Sequence, residues 1–346
     1  MMNQIKNWVA LDVVKFISVL AMILIHSHFV LITHYYRITD ISGFFYRITE
    51  KFMFLGLFVM ILPMLAGVVL KIYDYFNIKK IIGLAIFISF LGFLMNAFTW
   101  GPSYVFSWNV LQFLGLSFIL ISFLMNYFSV REVFLLSLLV LIFAGPIRNL
   151  LTEFGNIYLV SIFTGADNQY IFWPFFPWFS LVGFGFVFAH IYEKYSNAVR
   201  FNITTLFMGS FLVLTAVLRN EASPFLDPKY VWGPSLFQPK FGFVLAAIGL
   251  FFILISTANI LFNNVKLNKY GIINSYSKGI LWIYLFQTFF SFYLSVVIKA
   301  YFPMNGPRLA YFILPIVMIF LSWYVGAMSI KLLQEKKLII TLKKLR

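Results

Sequence analysis

Ten stretches of about twenty mostly apolar residues follow one another along this 346-residue chain, and each is long enough to cross a bilayer. Bounded by charges, proline and glycine, they cover roughly 9–33, 52–72, 80–98, 106–127, 132–150, 171–192, 201–218, 240–263, 278–299 and 310–332. The apolar runs are continuous rather than alternating, which argues against a β-barrel. Composition excludes the soluble alternatives. Hydrophobic residues make up 62% of the chain and charged residues 11%, far from the balance of a water-soluble domain. With 45 Phe, 19 Tyr and 8 Trp, the chain is also unlike a disordered one. The expected fold is all-α: a polytopic transmembrane bundle of about ten spans. A single transmembrane domain is expected over residues 1–335, followed by a basic cytoplasmic tail over 336–346. Gly145, Pro146 and Arg148 make the far end of the fifth span its weakest point.

The formal charge is +15. In a membrane protein such an excess reflects topology and anionic lipid, so nucleic acid is not an expected partner and membrane lipid is. Topology follows from its distribution. With both termini in the cytoplasm, sixteen of the 26 basic residues fall on inner segments, nine fall on outer ones, and Lys15 lies within the first span. The expected location is the plasma membrane, the inner membrane of a bacterium. No cysteine is present, which excludes disulfides and thiolate nucleophiles. No set of His and carboxylates has metal-ligand spacing, so no metal is expected.

The first span carries the chemistry. Ionisable groups within a span usually face a protein interior or a wet cavity, and this span holds Asp12, Lys15, Ser18, His26 and His28. Lys15, Ser18, Met22 and His26 fall at i, i+3, i+7 and i+11, one stripe of a helix. His26 therefore lies about 16 Å deeper than Lys15. Asp12 precedes Lys15 by one turn, so the two can pair. A cation near the cytoplasmic mouth and an imidazole near the midplane suit an anionic donor entering from inside. The imidazole would act as general base on a hydroxyl or amine, or accept an acyl group itself. The competing reading makes Asp12 and Lys15 a boundary ion pair and His26 an interhelical hydrogen-bonding group.

Leu11-Asp12-Val13-Val14-Lys15, continuing to Met22 and His26, resembles the opening of two related families of membrane acyltransferases. In the acyltransferase-3 family the first span carries a basic residue, ten intervening residues and a histidine; Lys15 and His26 have that spacing, with Lys where Arg is commoner. The other is the heparan-α-glucosaminide N-acetyltransferase-like family. Phe54-Leu55-Gly56 through Pro63-Met64-Leu65-Ala66-Gly67 is similar to its second span. Trp108-Asn109-Val110-Leu111-Gln112-Phe113-Leu114-Gly115 resembles another span opening of that family. Phe175-Phe176-Pro177-Trp178, with Gly183 and Gly185, is similar to its Pro-Trp span. Gly233-Pro234-Ser235 with Pro239 and Lys240 resembles its re-entry, and Ser275 to Gln287 its closing span. There Tyr284 matches, and Gln287 stands in place of the usual His. The resemblance covers residues 9–290. It implies transfer of an acyl group, usually acetyl, from cytosolic acyl-CoA to a hydroxyl or amine of a sugar or glycan, the acceptor sometimes lipid-linked. Lys15, with Asp12 beside it, would then meet the CoA, and His26 would be catalytic.

Other residues have two readings each. Asn96, Asn109 and Gln112 serve as oxyanion donors or acceptor-binding groups, or as interhelical hydrogen bonds. Arg148 binds a glycan or anchors a boundary. Trp173 and Trp178 offer an aromatic ledge for a sugar, or form part of the interfacial belt. Tyr284 donates a proton in a cavity or bonds a backbone carbonyl. The rival function is a transporter or flippase for a lipid-linked sugar in which His26 and Lys15 relay protons. Such carriers usually contain inverted repeats, and none is evident.

Overall fold

The computed structural model describes residues 8–35, 56–73, 78–152, 158–165, 171–195, 199–219, 239–262, 265–267, 271–301 and 306–344. They are almost wholly helical. In chain order the helices are α1 (Val9–Tyr35), α2 (Gly56–Met60), α3 (Leu62–Ile72), α4 (Ile78–Trp100), α5 (Val110–Tyr127), α6 (Val130–Thr152) and α7 (Tyr158–Thr164). They continue as α8 (Phe175–Tyr195), α9 (Val199–Leu218), α10 (Phe241–Phe262), α11 (Ile272–Lys278), α12 (Ile280–Tyr301) and α13 (Gly306–Lys344). Gly233, Pro234 and Ser235, expected to form a re-entry, lie outside the described residues.

Among the described residues nine helices are long and apolar enough to cross a membrane. Of the second expected span, the described apolar helical stretch is Phe58–Ile72. The helix breaks at Ile61, and a proline stands in the first turn of α3. Pro63 has no N–H to continue the ladder from the preceding turn, but it fits the start of a new helix. The fifth expected span is met, its weak far end included. Helix α6 runs through Pro146 to Thr152. Gly145 and Pro146 are exposed, and nothing lies within 4 Å of where a Cβ on Gly145 would sit. The proline ring therefore costs a ladder bond and displaces no neighbouring helix.

Burial is inverted relative to a soluble protein. Val199, Phe207 and Leu218 of α9 are 70%, 72% and 76% exposed, whereas Lys15 is 7% exposed and Asn96 and Gln287 are 0% exposed. Many large apolar side chains face outward while these polar ones are buried within the protein, as hydrocarbon solvent requires. The chain is an integral multi-pass membrane protein.

The helices gather into two compact units. One comprises Trp8 and the described residues of Met60–Leu261; the other comprises those of Val9–Val59 and Phe262–Arg346. In the first, α3 and α8 approach backbone to backbone. A Cβ on Gly67 would lie 2.0 Å from the carbonyl oxygen of Val182, and one on Gly185 would lie 2.0 Å from that of Met64. Small residues allow this contact where no hydrophobic force drives helix association. Lys71 closes the end of the pair with a 3.1 Å bridge to Glu193. Helix α8 opens with Phe176 at φ −95, ψ 129, the extended backbone a residue before proline favours. Trp8 stacks on Tyr192 with ring centroids 3.9 Å apart, and its indole N–H donates to Asn259 at 2.7 Å.

In the second unit α1 packs against α11, α12 and α13. Here too glycines meet: a Cβ on Gly279 would stand 2.6 Å from Cα of Gly326. The Tyr276 hydroxyl donates to the carbonyl of Ile319 at 2.6 Å. Burial pushes that phenol above its usual range, so it stays a neutral donor.

Candidate active site

The stripe expected on α1 forms within one unbroken helix of 27 residues. Lys15, Ser18 and Met22 are buried, and His26 is half-buried. The hydroxyl of Ser18 folds back onto the carbonyl of Val14 at 2.9 Å, so it spends its donor on its own helix.

Asp12 and Lys15 do not pair. The Asp12 carboxylate accepts from the Ser277 hydroxyl and bridges to Lys278 Nζ at 3.4 Å. Among the described residues no carboxylate lies within ion-pair distance of the Lys15 ammonium. The reason is directional. Asp12 points toward the junction of α11 and α12, which supplies both a hydroxyl and a cation. In the sequence Lys278 is one of the sixteen inner basic residues, at a span boundary. Its place at the start of the ninth span, with Asp12 at the start of the first, is the sequence signal for this bridge.

His26 meets α12. Its Nδ1 is 2.5 Å from Nε2 of Gln287, and its ring centroid is 6.2 Å from that of Tyr284. Gln287 also reaches the Thr288 hydroxyl at 3.1 Å, which in turn donates to the carbonyl of Tyr284 at 2.8 Å. Ile283, Gln287, Ser291 and Ser295 are all fully buried. Spaced four residues apart, they form one ridge of α12. Three of the four are polar, so α12 brings a polar seam into its own unit, as α1 does.

Asn109 and Gln112 serve the backbone in the other unit. Asn109 caps α5, and Gln112 at the third position completes the capping box. Gln112 Oε1 accepts from the Asn109 N–H at 3.2 Å. The Asn109 amide donates to Asn96 at 3.1 Å, and Asn96 donates to the carbonyl of Ser107 at 2.7 Å. Trp108 donates through its indole N–H to the carbonyl of Trp173 at 2.8 Å. Trp173 and Trp178 lie together, ring centroids 4.7 Å apart. Trp178 is fully buried, however, and presents no open face for a sugar. Arg148 donates from Nε to the carbonyl of Thr164 at 2.7 Å, which ties α6 to α7. The structure thus brings His26, Tyr284 and Gln287 together in one unit, and joins Asn109 to Gln112 and Trp173 to Trp178 in the other.

A sequence model of the family described as heparan-alpha-glucosaminide N-acetyltransferase, catalytic, matches residues 8–225. That is more than half of the chain. The chain belongs to this family. It is therefore a membrane acetyltransferase by family, and Lys15, His26, Asn109, Gln112, Arg148, Trp173 and Trp178 all fall inside the matched region. Tyr284 and Gln287 lie beyond it. Neither a curated protein nor a solved structure matches the chain.

Proposed function

We propose that this acetyltransferase-family protein moves an acetyl group from cytosolic acetyl-CoA to a hydroxyl or amine of a sugar or glycan, with His26 as the general base. The observation that carries the reading is the Lys15 ammonium. It is buried, without a carboxylate partner among the described residues, on the same face of α1 as His26. A buried cation whose neighbouring carboxylate, Asp12, lies beyond ion-pair distance and is already bound to Lys278 is costly, and an anionic ligand lowers that cost. The diphosphate end of CoA is such a ligand, and the pantetheine arm is long enough to run from Lys15 toward His26. With both termini inside, Lys15 stands at the cytoplasmic end of α1, where the donor is made. Asp12 then acts indirectly, by holding Lys278 and leaving Lys15 to the donor.

The chemistry needs no further group. The acceptor oxygen or nitrogen attacks the thioester carbon while its proton passes to the His26 imidazole. The carbon–sulfur bond then breaks, and the departing thiolate takes the proton back from the imidazolium. The acceptor arrives from the opposite face or from within the bilayer, in a bacterial inner membrane as a lipid-linked glycan.

Thermal stability of the purified protein in detergent, with and without acetyl-CoA, tests the donor. A rise in Tm that grows with acetyl-CoA concentration is expected. Absence of any rise, together with no transfer of label from radiolabelled acetyl-CoA in native membranes, would favour a sugar carrier and overturn the proposal.

A further inference from the structure

Gln287 Nε2 stands 2.5 Å from Nδ1 of His26, and Gln287 is fully buried. Its side-chain oxygen has no hydrogen-bond partner. A primary amide has a donor end and an acceptor end, which a half-turn of the group exchanges. The two ends have opposite consequences for the imidazole. If the N–H end faces Nδ1, the neutral ring must carry its proton on Nε2. The outer nitrogen is then a donor, and the buried amide oxygen stays unsatisfied. If the oxygen faces Nδ1, it accepts the Nδ1 proton, and the lone pair lies on Nε2. The amino group then takes the other position on the buried ridge of α12. One turn further along that ridge is the Ser291 hydroxyl, also buried and without a partner.

We propose that Gln287 is a positioning residue: its side-chain oxygen faces Nδ1 of His26 and holds the ring as the Nδ1–H tautomer, so that Nε2 is the proton acceptor. This rests on the reading of His26 as general base. A glutamine that merely joined two helices would serve with either end toward the ring, whereas a base acting through Nε2 requires the oxygen. The residue lies outside the region matched by the family, so the role comes from this contact alone. An amide also suits the depth of the site, since it fixes the tautomer without adding a second buried charge.

The test reads the tautomer directly. The chain has four histidines, and the His26 signals in a nitrogen-15 spectrum of the full-length protein are those lost in His26→Ala. A protonated Nδ1 with an unprotonated Nε2 is the expected pattern; the reverse pattern overturns the proposal, whether or not the protein transfers acetyl. Two variants add a kinetic readout, the rate of label transfer from acetyl-CoA in native membranes. Gln287→Met keeps the volume and removes the acceptor. It is expected to lower kcat about 10–100-fold with the KM for acetyl-CoA unchanged. Gln287→Glu restores an acceptor and is expected to recover most of kcat and the wild-type tautomer. Gln287→Met with wild-type kcat and tautomer would also overturn the proposal. If neither variant folds, the wild-type spectrum decides alone. The role of His26 itself is tested separately, by the transfer activity of His26→Ala.

Discussion

The carboxylate of Asp12 bridges to the ammonium of Lys278 at 3.4 Å, while Lys15, one turn along the same helix, has no carboxylate within ion-pair distance among the described residues. The two lysines around one aspartate are therefore not equivalent. Lys278 is bridged by the carboxylate, whereas buried Lys15 feels the same carboxylate only from beyond ion-pair distance.

Replacing Lys15 by Met should separate stability from donor binding. Without ligand, the loss of a buried cation should leave Tm unchanged or raise it by a few degrees. The Tm rise with acetyl-CoA should shrink, and the KM for acetyl-CoA should increase about 10–100-fold, the worth of one hydrogen bond to a charged group. Parallel acetyl-CoA titrations of both proteins check this. An unchanged KM would remove Lys15 from the donor site.

Asp12→Asn should lower stability, because it leaves Lys278 and Lys15 facing each other without a negative charge. The bridge is partly solvated, with the Lys278 side chain 34% exposed, so its coupling should be about 1 kcal/mol or less. A double-mutant cycle with Lys278→Met measures it. Zero coupling would mean that Asp12 acts through Ser277 and Lys15 rather than through Lys278.

Two glycines should respond in opposite directions. A Cβ on Gly185 would press into the backbone of Met64 at 2.0 Å, whereas a Cβ on Gly83 meets nothing within 4 Å. Gly185→Ala should cost about 1–3 kcal/mol through forced separation of α3 and α8. Gly83→Ala should stabilise α4 by about 0.5–1 kcal/mol. Thermal unfolding of the two variants in the same detergent compares them.

Asn109→Ala should cost about 0.5–2 kcal/mol, the value of a helix cap. Asn109→Asp keeps the capping oxygen and loses only the amide N–H donated to Asn96, so it should recover part of that loss. Equal losses in the two variants would show that the contact with Asn96, rather than the cap, holds α5.

Much of the fold was legible because hydrocarbon solvent leaves a coarse signature. Apolar length alone located α1, α4, α5 and α8 to within a few residues. It located α6 as well, the helix continuing through Pro146 on an exposed face; it did not show that Pro63 opens a new helix within the second stretch. The α1 stripe was legible from helical periodicity. The partners of Asp12 beside it were not, because Lys278 and Ser277 lie more than 250 residues away and nothing local marks which face of α11 they take. Gln287 was noticed as a departure from a family pattern, and only the folded chain connects it to His26. Asn109 and Gln112, weighed as ligands or as interhelical hydrogen bonds, form a capping box. The spacing of an amide and a glutamine three residues apart at a helix start already carried that reading.

The most direct measurement is the rate of label transfer from radiolabelled acetyl-CoA by native membranes carrying wild type or His26→Ala at equal abundance. The account expects a loss of at least about 100-fold, with stabilisation by acetyl-CoA retained because Lys15 is intact. Transfer by His26→Ala at the wild-type rate would contradict it.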